Sequence, residues 1–207
     1  RVLQVTISLM RGLCLWMLLL IVPQLAAAVT DPLNLVRDTS ERCLSEIINR
    51  KAELTETPGK IYSLVDDIVL PSFDFERMSR LVLGKFWRQA SEQEKQDFVR
   101  EFRQMLVRTY GTALLQFSGQ EIKYLPMRLA PDATDVTVNT EVKNPGAPPV
   151  PINYSLYLAA DDWKVYDVSI DGVSLVSNYR NSFNAQIRRY TLAGLIGKLA
   201  DRNREGQ

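Results

Sequence analysis

The stretch 163-WKVYDVSIDGVSLVSNYRNSF-183 decides how the rest of the chain is read. Its first half, Trp163 to Asp171, is rich in aromatic and β-branched residues, which suit a pleated, half-buried surface. The two-residue period of a strand puts Tyr166, Val168 and Ile170 on one face. Gly172 supplies the backbone freedom for a corner. Beyond it Leu175, Val176, Tyr179 and Phe183 recur at three- and four-residue steps, which predicts a helix with one apolar side. One continuous segment therefore makes a sheet wall and then a helix beside it.

The same two-residue period extends upstream. Ile152, Tyr154, Leu156 and Leu158 predict a strand joined to Trp163 by a turn at Asp161-Asp162. Val136, Val138 and Val142 alternate with Thr137, Asn139, Glu141 and Lys143, a strand with one apolar and one wet side. Asn144 to Pro151 (NPGAPPVP) reads as a stiff connection, and Ile122 with Tyr124 as a first short strand. Short links between four strands predict an antiparallel meander.

Before Gly119 the period is helical. Asp31-Pro32 opens a helix carrying Val36, Cys43, Leu44, Ile47, Ile48 and Leu54, stopped by Thr57-Pro58-Gly59. Ile61, Leu64, Val65, Ile68 and Val69 make a second, and Asp74 caps a third that bears Phe75, Met78, Leu81 and Val82. Ser91 and Glu94 form a capping box for a long helix holding Phe98, Phe102, Met105, Leu106, Tyr110, Leu114 and Phe117. A last helix is predicted over 191–203. Helices, then a sheet, then helices define an α+β class.

Arg1 and Arg11 precede an apolar run from Gly12 to Val22, and Ala26-Ala27-Ala28 follows Pro23. That order reads as a secretory signal peptide over 1–28, since a bilayer span needs about 20 apolar residues. Residues 29–207 then form one domain, exported and cleaved after about Ala28. Without Arg1 and Arg11 the balance is 23 basic against 24 acidic side chains, which gives no reason to expect nucleic acid as a partner. Cys43 is the one thiol outside the leader, so the domain is held by packing and not by a disulfide. It reads as a small buried hydrophobe.

The chain has no histidine, which removes Ser-His and Cys-His nucleophiles and most zinc sites. No carboxylates have metal-loop spacing, and no cofactor or metal is expected. An enzymatic alternative would use Asp167 or Asp171 as a base beside Tyr154, Tyr157 or Tyr166. Alternation instead puts Asp167 on the outer strand face and makes Asp171 a turn residue.

Phe73 to Ala90 (FDFERMSRLVLGKFWRQA) followed by Phe98 and Phe102, together with Trp163 to Phe183 and Pro148-Pro149-Val150-Pro151, resembles the MlaC, or toluene-tolerance auxiliary, family. The resemblance covers nearly all of residues 29–207. It implies a curved antiparallel sheet, nuclear-transport-factor-2-like, wrapped by N- and C-terminal helices around an apolar cavity. It implies a periplasmic phospholipid carrier of Gram-negative bacteria that maintains outer-membrane lipid asymmetry. Such a carrier is a monomer and not an enzyme. Its partners are an outer-membrane lipoprotein complex and an inner-membrane ABC transporter with an MCE-domain ring. A cargo-free adaptor between the two complexes is the other reading.

On that resemblance the sheet face of the cavity carries Val136, Val138, Val142, Ile152, Tyr154, Leu156, Tyr166 and Val168. Opposite stand Leu64, Ile68, Leu81, Trp87, Phe102, Leu106, Tyr110, Leu175, Tyr179 and Phe183. Side chains of these types fill a core as readily as they line a void, and interiors are normally close-packed. The void is implied by the resemblance alone. Arg77, Arg80, Lys85 and Arg88 form a basic segment that reads either as a docking face or as a solvated helix side.

Overall fold

The computed structural model describes residues 30–160 and 162–205; the predicted signal peptide lies outside the described residues. Helix α1 (Pro32–Asn49) starts where an Asp31 side-chain oxygen accepts the backbone N–H groups of Leu33 and Asn34 at 2.9 and 3.1 Å. The single helix expected through Leu54 is interrupted at Arg50 (φ −103°, ψ 19°), and α2 (Lys51–Glu56) continues as a separate piece. Next come α3 (Lys60–Ile68), a 3-10 turn at Leu70–Ser72, and α4 (Phe75–Leu83), capped by Asp74, whose Oδ1 accepts the Arg77 N–H at 2.8 Å. Gly84 turns the chain into α5 (Lys85–Gln89) with φ 57° and ψ −117°, and a Cβ there would stand 3.3 Å from the Arg180 guanidinium. The expected capping box opens α6 (Glu92–Leu114). Helical hydrogen bonding ends at Leu114, so Phe117 falls in the turn beyond it.

The strands β1 (Glu121–Tyr124), β2 (Asp135–Lys143), β3 (Val150–Ala159), β4 (Asp162–Ile170) and β5 (Val173–Ser174) lie side by side in chain order, all antiparallel. The sheet thus has five strands where four were expected. The fifth is two residues folded back after Asp171-Gly172 against Ser169 and Ile170. β3 begins earlier than the proline pattern suggested. Pro151 pairs with Glu141 next to the strand start, where its missing N–H costs little, and its carbonyl accepts the Asp171 N–H at 2.9 Å.

One irregularity resets a face of the sheet. Leu156 pairs with Val165 but Ser155 pairs with Asp167, so one extra residue is inserted in β4. Val165 and Val168 consequently share the inner face, although they are three residues apart. Tyr166 is turned to the outer face, a correction to its expected place beside Val168. There its hydroxyl donates to Asp135 at 2.8 Å, and its ring meets Tyr157 edge-on at 6.0 Å. The Arg77 guanidinium lies over the Tyr157 and Tyr166 rings, and the Tyr157 hydroxyl donates to Asp74. Arg77 of the basic segment is therefore engaged with the sheet, and Arg80 pairs with Glu76 at 2.9 Å.

Helix α7 (Leu175–Glu205) is two helices joined at Thr191, which has φ 66° and ψ 170°. That conformation is costly for a β-branched residue. It is partly offset because Thr191 Oγ1 accepts the Gly194 N–H at 3.3 Å and starts the second helix. This agrees with the helix expected from residue 191.

Packing divides into three apolar clusters. The helices α4 to α7 share one, centred on Phe98, Phe102, Tyr179 and Phe183, with the Phe102 ring 5.5 Å from Phe98, 5.5 Å from Tyr179 and 5.9 Å from Phe183. A second joins the inner sheet face to α1 and the start of α7. A third lies between α1, α2, α3 and the second half of α6. The end of α7 is tied down by Asn203, whose buried amide donates to the Glu101 carbonyl at 3.0 Å and to its carboxylate at 2.9 Å.

Candidate functional site

The space between α1 and the inner sheet face is not filled. The inner face is set by strand alternation: Val136, Val138, Thr140 and Val142 of β2 point inward while Asp135, Thr137 and Asn139 are exposed. Helix α1 crosses this face and presents Val36, Thr39, Ser40, Cys43 and Leu44, one turn apart or adjacent. The two surfaces bound a cavity of about 450 Å³. Val69, Ser72 and Phe73 also line it, as do Leu114 at the end of α6 and Gln116, Phe117 and Gln120 beyond it. None of the residues lining it is charged. A cleft of about 550 Å³ between α3, α5 and α6 is larger, but it is walled by Asp66, Glu76, Glu92, Lys95, Arg100, Arg103 and Arg108. A charged surface cleft holds water well. The uncharged one favours hydrocarbon.

The polar side chains in the wall are neutral ones, hydroxyls and amides. Thr140 Oγ1 donates to the Ile152 carbonyl at 2.7 Å, and the Thr39 and Ser72 hydroxyls are 3.4 Å apart. Burial pushes the Cys43 thiol up to about 11 and the Tyr154 phenol up to about 12. The phenol of Tyr124, which packs against the sheet–α1 cluster beside the cavity, is raised by the same cause, and its buried oxygen has no well-formed hydrogen bond although Ser40 is its neighbour. These groups are held neutral, as a hydrocarbon pocket requires. As a consequence, stability falls as the pH rises from 9, where an unburied thiol ionises, toward about 11, because only the unfolded chain releases the Cys43 proton freely. Urea unfolding against pH checks this: Cys43→Val should flatten the decline over that interval.

Of the residues expected at the cavity, Val142, Ile152 and Tyr154 border it. Val136, Val138, Leu156, Val168 and Leu175 lie in the sheet–α1 cluster beside it. Trp87, Phe102, Leu106 and Phe183, with Leu81 against them, belong to the helical cluster, and Tyr110 and Tyr179 stand between these two. Leu64 and Ile68 are in the third cluster, and Tyr166, away from the cavity, packs half-buried against the helical cluster. The wall contributed by α1 was visible as the apolar stripe through Val36, Cys43 and Leu44, but that stripe reads equally as core. Phe117 read as the end of the α6 stripe, and Val150 and Phe73 gave no such signal.

Asp167 has a structural occupation. Its two oxygens accept the Ser174 hydroxyl at 2.5 Å and the Val176 N–H at 3.0 Å, so it caps α7 across the corner at Gly172. Asp171 is exposed in that corner with φ 51°. Neither carboxylate borders the cavity. Asp167→Ala should cost about 2 kcal/mol and lower Tm by roughly 4–8 °C in a calorimetric scan.

Fold and cavity together define a class: an α+β domain with an uncharged, partly open cavity between a sheet and a crossing helix. The particular family follows from comparison. The MlaC protein family model matches residues 37–201. The toluene tolerance protein ttg2D of Pseudomonas putida is 27% identical over 197 residues, covering 92% of this chain and 90% of that protein. The intermembrane phospholipid transport system binding protein MlaC of Haemophilus influenzae is 21% identical, covering 86% and 85%. The structure of a phospholipid-binding protein from Ralstonia solanacearum, in complex with a phospholipid, superposes with a TM-score of 0.79 at 33% identity, covering 85% of this chain and 98% of that one. The chain belongs to the MlaC family.

Proposed function

We infer that this chain binds and transports phospholipid, taking the acyl tails into the chamber between α1 and the inner sheet face. The observation that carries the reading is the 450 Å³ uncharged cavity, in a fold shared with a protein solved in complex with a phospholipid. If a methylene takes about the space of a water molecule, some 30 Å³, the chamber holds about 15 of them. At about 0.8 kcal/mol each, that tail gains on the order of 12 kcal/mol over water. Leaving a bilayer costs a similar amount, so loading and unloading are nearly balanced and direction comes from partners. A diacyl lipid with ~30 methylenes needs more room than that, so part of its tails extends through the open side of the cavity.

The role fits an exported protein of the Gram-negative periplasm that shuttles between an outer-membrane lipoprotein complex and an inner-membrane ABC transporter with an MCE-domain ring. The family's role is carriage and not catalysis. Asp167 and Asp171, the candidate bases of an enzymatic reading, are spent on a helix cap and a turn. The test is transfer of isotope-labelled phospholipid between donor and acceptor vesicles held apart by a membrane permeable to the protein. Acceptor labelling that rises with protein concentration supports the reading. Labelling equal to the protein-free control contradicts it.

A further inference from the structure

Charge is not spread evenly over this near-neutral chain. In α7 the buried residues Phe183, Ile187, Leu195, Leu199 and Asn203 mark the stripe that faces the helical core. Every cation of that helix lies off this stripe and is exposed: Arg180, Arg188, Arg189, Lys198, Arg202 and Arg204. Two acids, Asp201 and Glu205, accompany them, and Asp201 is taken by Arg204. The helix therefore carries an excess of four positive charges while the whole chain is formally at +1. Lys85 adds a fifth next to Gly84, where the Arg180 guanidinium sits. At the Thr191 break the exposed Tyr190 ring has the Lys198 ammonium 3.2 Å from its centroid and Arg189 at 5.1 Å.

We propose that the outer face of α7, centred on Tyr190, Arg189 and Lys198, docks the protein on an anionic lipid surface. A protein interface of useful affinity is anchored by several aromatic side chains, with Arg, packed together in desolvated pockets. Among the large hydrophobic residues exposed in the described chain, Tyr190 alone belongs to this face. A diffuse array of exposed guanidinium and ammonium groups around one amphipathic ring suits a lipid surface instead. The long cationic side chains reach phosphates and Tyr190 sits at headgroup level. Attraction of this kind falls off within a Debye length, about 10 Å at 0.1 M salt, so it is weak, reversible and salt-sensitive. The face is separate from the cavity, so docking holds whatever the cavity contains.

The experiment is co-sedimentation of the exported, processed protein with vesicles of pure phosphatidylcholine or of phosphatidylcholine mixed with phosphatidylglycerol. Binding to the mixed vesicles alone, abolished by high salt, is expected. The variant R188E/R189E/K198E should bind the mixed vesicles at least about tenfold more weakly. R42E/K51E/R128E, with the same change of net charge placed elsewhere on exposed positions, should bind like the parent. Thermal unfolding of both variants confirms that they fold. Equal binding to neutral and mixed vesicles, no binding to either, or equal losses in the two variants would overturn the proposal. So would a face that leaves vesicles untouched and instead binds an acidic protein.

Discussion

Replacing Ile152 by Trp is expected to strip the protein of co-purifying lipid while leaving it folded. Ile152 is half-buried, on the inner face of β3 opposite Thr140, and borders the cavity. An indole here grows into open space and not into packed atoms, so the overpacking cost of about 1–3 kcal/mol that a filled core would impose is largely avoided. The volume it takes comes from the space for the tail, and each methylene excluded forfeits about 0.8 kcal/mol. Four excluded methylenes would cost about 3 kcal/mol, roughly a hundredfold in affinity. Lipid extraction with mass analysis measures the occupancy, and a thermal scan monitors the fold. Val142→Trp, on the same face and also at the cavity, should behave alike.

Phe102→Ala should do the reverse. Its ring is fully buried and contacts Phe98, Tyr179 and Phe183, none of which borders the cavity. Truncation leaves a hole that these rigid neighbours cannot collapse into, at a cost of about 3–5 kcal/mol. Denaturant unfolding should show that loss. Lipid bound per folded molecule should be unchanged at low temperature. The two variants together separate the packed half of the molecule from the hollow half. If Phe102→Ala lost lipid as completely as Ile152→Trp, that division would be wrong.

Much of the fold was legible in the sequence, because helix and strand periods report burial directly. The Ser91–Glu94 capping box, the Asp74 cap and the alternation of β2 were each found as expected. The break at Arg50 and the inserted residue in β4 were not legible. Neither is marked by a glycine or a proline, and at the second Tyr166 masks the shift of phase from Trp163 and Val165 to Val168 and Ile170, so that Tyr166 was put on the wrong face. Hollowness was harder still. Phe102 and Ile152 are both large apolar residues on correctly read faces, yet one is sealed in a core and the other borders a cavity. Hydrophobic pattern says which face is buried and is silent on what buries it. That depends on how far α1 stands from the sheet, a distance set by elements remote in sequence.

Native mass spectrometry of the protein purified without added lipid shows whether the cavity carries a phospholipid. A population heavier than the polypeptide by the mass of a phospholipid is expected, released by organic solvent and reduced in Ile152→Trp. Repeated preparations showing only the polypeptide mass, after incubation with phospholipid vesicles as well as before, would contradict it.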